Sequence, residues 1–131
     1  MVTAPNTEVL TVCLLDDDPS VLKATSRLLA SSGWTVEPFL DPIAFLRYAE
    51  TYQPEVVVLD ILMPVMNGLE VQRRLRTISP RTRVIILTSK GDAEVRCRAM
   101  EAGASAFFLK PVNDNEFLVG IESAASDNGS E

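Results

Sequence analysis

The chain has 131 residues, 47% of them hydrophobic, and a formal net charge of −6, which fits one domain with a well-filled core and excludes both disorder and nonspecific nucleic-acid binding by this segment. It has no histidine and only two cysteines, Cys13 and Cys97, far apart and each inside an apolar pattern, so a Cys/His zinc site is excluded and both thiols read as reduced and packed. Residues 1–8 lack the plan of a signal peptide, and no apolar run approaches the ~20 residues that span a bilayer, so a soluble cytoplasmic protein without membrane contact is expected.

The first strand-like run covers residues 9–15 and ends in Asp16-Asp17-Asp18. Asp18-Pro19 then offers an N-cap and a first-turn proline, and Gly33 stands where a left-handed helix end is wanted. Residues 35–39 form a weaker strand. Pro38 cannot donate to a ladder, so this strand belongs at an edge. Asp41-Pro42 repeats the start signal before Phe45, Leu46 and Ala49.

Residues 55–59 are a short apolar run that ends at Asp60. The helix predicted over 69–78 puts Val71, Leu75 and Ile78 on one stripe, with Gln72, Arg73, Arg74 and Arg76 mostly outside it. Residues 83–87 form the fourth strand, followed by Thr88-Ser89. The next helix, over 92–102, carries Val95, Ala99 and Ala102 and stops at Gly103. The fifth strand, 106–109, ends in Lys110-Pro111, and Asn113 to Glu116 resembles a capping box before Phe117, Leu118 and Ile121. Nine of the twelve Lys and Arg residues fall between Arg73 and Lys110. Solvated helix faces account for this most simply, and a partner-facing patch is the other reading.

Five βα units in succession predict an α/β fold, a (βα)5 doubly wound parallel sheet of flavodoxin-like order 2-1-3-4-5. The domain is expected over residues 9–125, with flexible termini at 1–8 and 126–131. Functional groups in such sheets gather at the carboxyl ends of the strands. Asp16, Asp17, Asp60, Thr88 and Lys110 all stand there, on neighbouring strands. Two like charges ~4 Å apart repel by about 1 kcal/mol in water and by several times more where partly buried. Three carboxylates therefore require cations, which Lys110 and a hard divalent ion such as Mg²⁺ would supply. A carboxylate nucleophile, a metal, a lysine and a hydroxyl are also the set that phosphoryl transfer uses.

With these residues in view, the chain resembles a two-component response regulator receiver domain over roughly residues 9–125. The likeness lies in Asp16-Asp17, in Asp60-Ile-Leu-Met-Pro64 with Met66-Asn67-Gly68, in Thr88, in Ala102-Gly103-Ala104, and in Phe107-Phe-Leu-Lys110-Pro111. The resemblance implies that Asp60 is the phosphoryl acceptor. Asp17 would be a direct Mg²⁺ ligand, Asp16 would help through water, and the backbone carbonyl of Leu62 would complete the protein ligands beside Asp60. Thr88 would bond the phosphoryl group, Phe107 would be the aromatic switch, Lys110 would contact a phosphate oxygen, and the Lys110–Pro111 bond would be cis. Ser89, where alanine or glycine is frequent, would alter access to the phosphate. Leu62, apolar at a position that tunes phosphoryl loss, would hamper the attacking water.

The implied partners are a sensor histidine kinase or phosphotransfer protein, an output domain or effector, and a second copy in a homodimer. The domain would not be an enzyme beyond promoting its own phosphorylation and dephosphorylation. The alternative within the family is a scaffold that binds partners without being phosphorylated. An aspartyl phosphatase would carry an acid/base aspartate where Leu62 stands, and the chain has neither G-x-x-x-x-G-K-[ST] nor G-x-G-x-x-G for a nucleotide.

Overall fold

Five short runs of aliphatic and β-branched residues pair in parallel: β1 (Thr11–Leu15), β2 (Thr35–Phe39), β3 (Val56–Leu59), β4 (Arg83–Thr88) and β5 (Ala106–Leu109). The computed structural model describes residues 10–89 and 91–128, with side chains through Ser126. The expected strand start at Val9 lies outside the described residues. The sheet order is β2-β1-β3-β4-β5, so the strand with Pro38 is at the edge, where a missing donor costs no ladder bond. The helices are α1 (Pro19–Ser31), α2 (Pro42–Tyr52), α3 (Gly68–Ile78), α4 (Ala93–Glu101) and α5 (Asp114–Asn128). Helix α5 takes in the first residues of the expected C-terminal tail, and 129–131 lie outside the described residues. Among the described residues, no helix is long and apolar enough to cross a membrane.

Alternation along the strands divides the core in two. Cys13, Leu15, Val57, Leu59, Val84 and Ile86 face α2, α3 and α4 and meet Phe45, Val71, Leu75 and Ala99. Val12, Leu14, Val56, Val58, Ile85 and Leu87 face the other way, against Leu22 and Leu29 of α1 and Phe117 and Ile121 of α5. Each such buried side chain contributes about 1.5–3 kcal/mol of transfer free energy, which makes these two layers the main support of the fold. Near-continuous apolar strands are what a sheet covered on both faces requires.

The helix starts follow the caps that the sequence announces. Asp18 accepts from the Ser20 N–H, Asp41 from Ile43 and Asn113 from Glu116, and the structure adds Asp92, which accepts from Val95 at the start of α4. Gly33 and Gly103 take the left-handed conformation, with φ of 95° and 103°, at the ends of α1 and α4. The end of α2 carried no such signal. There Gln53 itself adopts φ 50°, and its amide donates to Ala49 O, Glu50 O and Ile78 O at 3.2, 3.0 and 2.9 Å. One side chain thus satisfies the last carbonyls of α2 and ties them to the end of α3.

Two expectations of burial are corrected. Cys13 is buried, and its thiol is pushed up to about 12 by burial and then by the charges of Glu37 and Glu55. Cys97 is exposed, with its Sγ donating to Glu101 Oε2 at 3.5 Å. Only Ala99 of α4 is buried, so this short helix touches the sheet along a line too narrow to include Cys97. Conversely Gln72 is 1% exposed, because its amide donates to Ala99 O at 2.8 Å and links α3 to α4. The arginines beside it, Arg73 and Arg74, are exposed and pair with Glu70 of their own helix, as a solvated face would.

Candidate functional site

Because all five strands run the same way, their carboxyl ends share one rim, and the backbone ladder continues just past them. The Asp16 N–H donates to Phe39 O at 3.2 Å, the Asp60 N–H to Leu15 O at 3.1 Å, and the Lys110 N–H to Thr88 O at 2.9 Å. These bonds hold the main chain under each functional side chain. Asp16 and Asp60 are 5% and 6% exposed, rare burial for carboxylates. Asp17, one residue on, is exposed. One oxygen from each of Asp16, Asp17 and Asp60 falls within 4.8 Å of the others.

Lys110 closes the cluster. Its Nζ donates to Asp16 Oδ2 at 2.7 Å and to Asp60 Oδ2 at 3.3 Å. The remaining oxygens are held locally: Asp16 Oδ1 accepts from the Asp18 N–H at 3.0 Å, and Asp60 Oδ1 from the Leu62 N–H at 3.1 Å. Burial pushes the Asp16 carboxyl above its usual range and the charge of Asp60 adds to this, while Lys110 and the Asp18 N–H pull it back. For Lys110 burial works against the ammonium, but the hydrogen bond and charge of Asp16, with Asp60, outweigh it and raise its value. The stabilisation from Lys110 is therefore complete at neutral pH and is lost only as pH rises through that raised value. A raised Asp16 acts in the other sense: its ionised form costs stability once pH climbs through its carboxyl range, and Lys110 offsets that cost.

Lys110→Met is accordingly expected to destabilise the protein by about 1–3 kcal/mol at neutral pH, discounted from a fully buried pair because the ammonium is partly solvated. The deficit should shrink as acid protonates Asp16. Thermal unfolding across pH checks this, and a deficit that grows toward acid would contradict it.

The other residues singled out in the sequence lie around this cluster. Thr88 is fully buried at the end of β4, and Ser89 is exposed beyond it. Leu62 is 46% exposed on the loop after β3. The Lys110–Pro111 peptide is cis. Phe107 lies deeper along β5, paired in register with Ile86, partly buried against the α2–α3–α4 side of the core. Gly68 emerges as a site residue whose role could not be read from its letter. Its N–H donates to Ile61 O at 2.9 Å, and a Cβ there would meet the carbonyl oxygen of Asp60. Only a glycine lets α3 start this close to the Asp60 backbone.

The donor set suits a hard cation. Three carboxylates with two of them buried, balanced by one lysine, leave excess negative charge that oxygen-seeking divalent ions neutralise.

Comparison with known proteins gives one answer. The family model described as the response regulator receiver domain matches residues 12–122. The response regulator protein TodT of Pseudomonas putida is 37% identical over 113 residues, which are 86% of this chain and 50% of that protein. The tetrathionate response regulatory protein TtrR of Salmonella typhimurium is 38% identical over 114 residues, 87% of this chain and 55% of that protein. The chain thus spans about half the length of the curated relatives it matches. Among solved structures, a CheY-like receiver domain protein from Methanospirillum hungatei JF-1 superposes with a TM-score of 0.88 at 26% identity, covering 92% of this chain and 97% of that one.

Proposed function

This chain belongs to the response regulator receiver domain family, and from that membership we propose that it is a working phosphoacceptor, with Asp60 the residue that takes the phosphoryl group. The observation that carries the reading is Lys110 Nζ lying 2.7 and 3.3 Å from the two buried carboxylates, Asp16 and Asp60, with Asp17 beside them. Asp16, Asp17, Asp60 and the backbone carbonyl of Leu62 would hold Mg²⁺. When bound, that ion neutralises the carboxylates and the charge on the phosphoryl oxygens.

In the reaction, a carboxylate oxygen of Asp60 attacks the phosphorus of a phosphohistidine. The O–P bond forms, the N–P bond breaks, and the imidazole leaves with the electron pair. Lys110, already aimed at Asp60, shifts its charge onto a phosphoryl oxygen. Thr88 turns its hydroxyl toward another, with Ser89 at the mouth shaping access. Phe107 turns inward behind Thr88 as the switch. Residues 9–125 act as the domain. The phosphoryl donor is a sensor histidine kinase or phosphotransfer protein in the cytoplasm, and the phosphohistidine that Asp60 attacks lies outside these 131 residues, which hold no histidine. The readout is an output domain, an effector protein or a homodimer.

The test is intact-mass analysis after treatment with acetyl phosphate. One phosphoryl adduct is expected with Mg²⁺ and none when the metal is chelated. No adduct under either condition would leave a receiver-like scaffold that works without phosphorylation. The exposed Leu62 side chain keeps the position two residues past Asp60 apolar, which withholds a hydrogen-bonding group from the water that would hydrolyse the acyl phosphate. Leu62→Asn should shorten the adduct's lifetime several-fold. A lifetime unchanged or longer would count against that role.

A further inference from the structure

Phe107 stands in β5 opposite Ile86, and alternation puts it on the same face of the sheet as Thr88, two residues farther along β4. Its ring is partly buried against the core beneath α4 and lies 5.7 Å from the guanidinium of Arg96 on that helix. Three features make this contact consequential. Phe107 has no hydroxyl, so no hydrogen bond from the ring fixes its orientation. Arg96 is exposed, and its guanidinium makes no hydrogen bond or ion pair among the described residues, which leaves its charge available to the ring face. Helix α4 buries only Ala99 fully, packs Val95 partly against the core and is tied to α3 through Gln72, so with so few anchors a contact near its middle bears on where it sits.

We propose that Arg96 is a latch on the switch: its cation over the Phe107 ring holds that ring beneath α4 and sets a threshold against the inward turn that accompanies phosphorylation of Asp60. This inference rests on the phosphoacceptor reading and specifies its regulation. An inward turn that carries the ring away from Arg96 forfeits this contact, so the free energy of the contact is subtracted from that of the turn. A solvent-exposed cation over an aromatic ring is worth about 0.5–1 kcal/mol, which corresponds to a two- to fivefold bias. That size suits a threshold, which phosphorylation overcomes. Arg96 touches neither the carboxylates nor Lys110, so it acts as a positioning residue.

The experiment uses protein labelled with para-fluorophenylalanine at its five phenylalanines, with the Phe107 fluorine resonance assigned through Phe107→Leu. Mg²⁺ and beryllofluoride serve as the phosphoryl mimic. In Arg96→Met, which retains bulk without charge, the Phe107 resonance of the unliganded protein is expected to move toward the position that wild type reaches with the mimic. Apparent affinity for beryllofluoride at saturating Mg²⁺ should tighten two- to fivefold. Arg96→Lys, which keeps a cation, should fall on the wild-type side of Arg96→Met in both measurements. If wild type binds the mimic but Arg96→Met leaves resonance and affinity unchanged, or if Arg96→Lys matches Arg96→Met, the latch is overturned while the phosphoacceptor stands. If wild type itself fails to bind the mimic, the phosphoacceptor reading fails and the latch falls with it.

Discussion

Asp60→Ala is expected to take up no phosphoryl group from acetyl phosphate and Mg²⁺ under conditions in which the wild type acquires one. Three acids share the rim, so the choice among them needs a reason. Asp17 is exposed, and among the described residues no hydrogen bond or ion pair fixes its carboxylate beside the other two. Asp16 has both oxygens engaged at short range, Oδ2 by Lys110 at 2.7 Å and Oδ1 by the Asp18 N–H at 3.0 Å. Asp60 is oriented by the Leu62 N–H on one oxygen, while the other meets Lys110 at the looser distance of 3.3 Å. Both of its oxygens are thus oriented, but at longer range than those of Asp16, which suits a group that must be placed and still free to attack. The variant should fold, because Asp16 continues to pair Lys110 and one like charge is removed from the cluster. Intact mass with a near-ultraviolet circular dichroism control decides the matter. A full-sized adduct on folded Asp60→Ala would move the acceptor role to a neighbouring acid.

Gly68→Ala should cost about 2–4 kcal/mol of stability, a large effect for one added methyl group. The added methyl would be driven into the carbonyl oxygen of Asp60 and would lie 2.8 Å from Leu59 Cδ1 and 2.9 Å from Ile61 Cα. Two of these three neighbours are backbone, which cannot rotate away as a flexible side chain can. The contrast with Gly120 is instructive, because there the new Cβ would meet only the ring of Phe108, at 2.8 Å. Relief at Gly68 requires the start of α3 to lift from the loop after β3, which breaks the Gly68 N–H bond to Ile61 O. That loop carries Asp60 and Leu62, so phosphoryl uptake should slow along with the loss of stability. Urea unfolding and the phosphorylation rate measured on one preparation test both halves. A stability change below about 0.5 kcal/mol, the size of an ordinary surface substitution, would show that the backbone yields more easily than its packing implies.

Much of this was legible from letters alone. Apolar runs of four to seven residues, alternating with helix-like segments, announced parallel strands between helices. Asp18-Pro19, Asp41-Pro42 and Asn113 marked helix starts that the backbone adopts. Pro38 named the edge strand because proline lacks a donor. The acids, Thr88 and Lys110 could be gathered on one rim because parallel strands bring all their carboxyl ends to the same side. These inferences work because they rest on local rules, on periods of 2 and 3.6 residues and on one missing N–H.

Other features belong only to the folded molecule. Letters could not show that Lys110 leans more closely on Asp16 than on Asp60, that Gln72 is buried and Cys97 exposed, that Gln53 ends α2, or that Arg96 covers Phe107. Each depends on how far a helix rolls on the sheet and how closely two segments distant in sequence approach. A periodic pattern states which residues share a face. It does not state how wide a strip of that face the neighbouring layer covers, because that width is set by the volumes of side chains contributed from elsewhere in the chain.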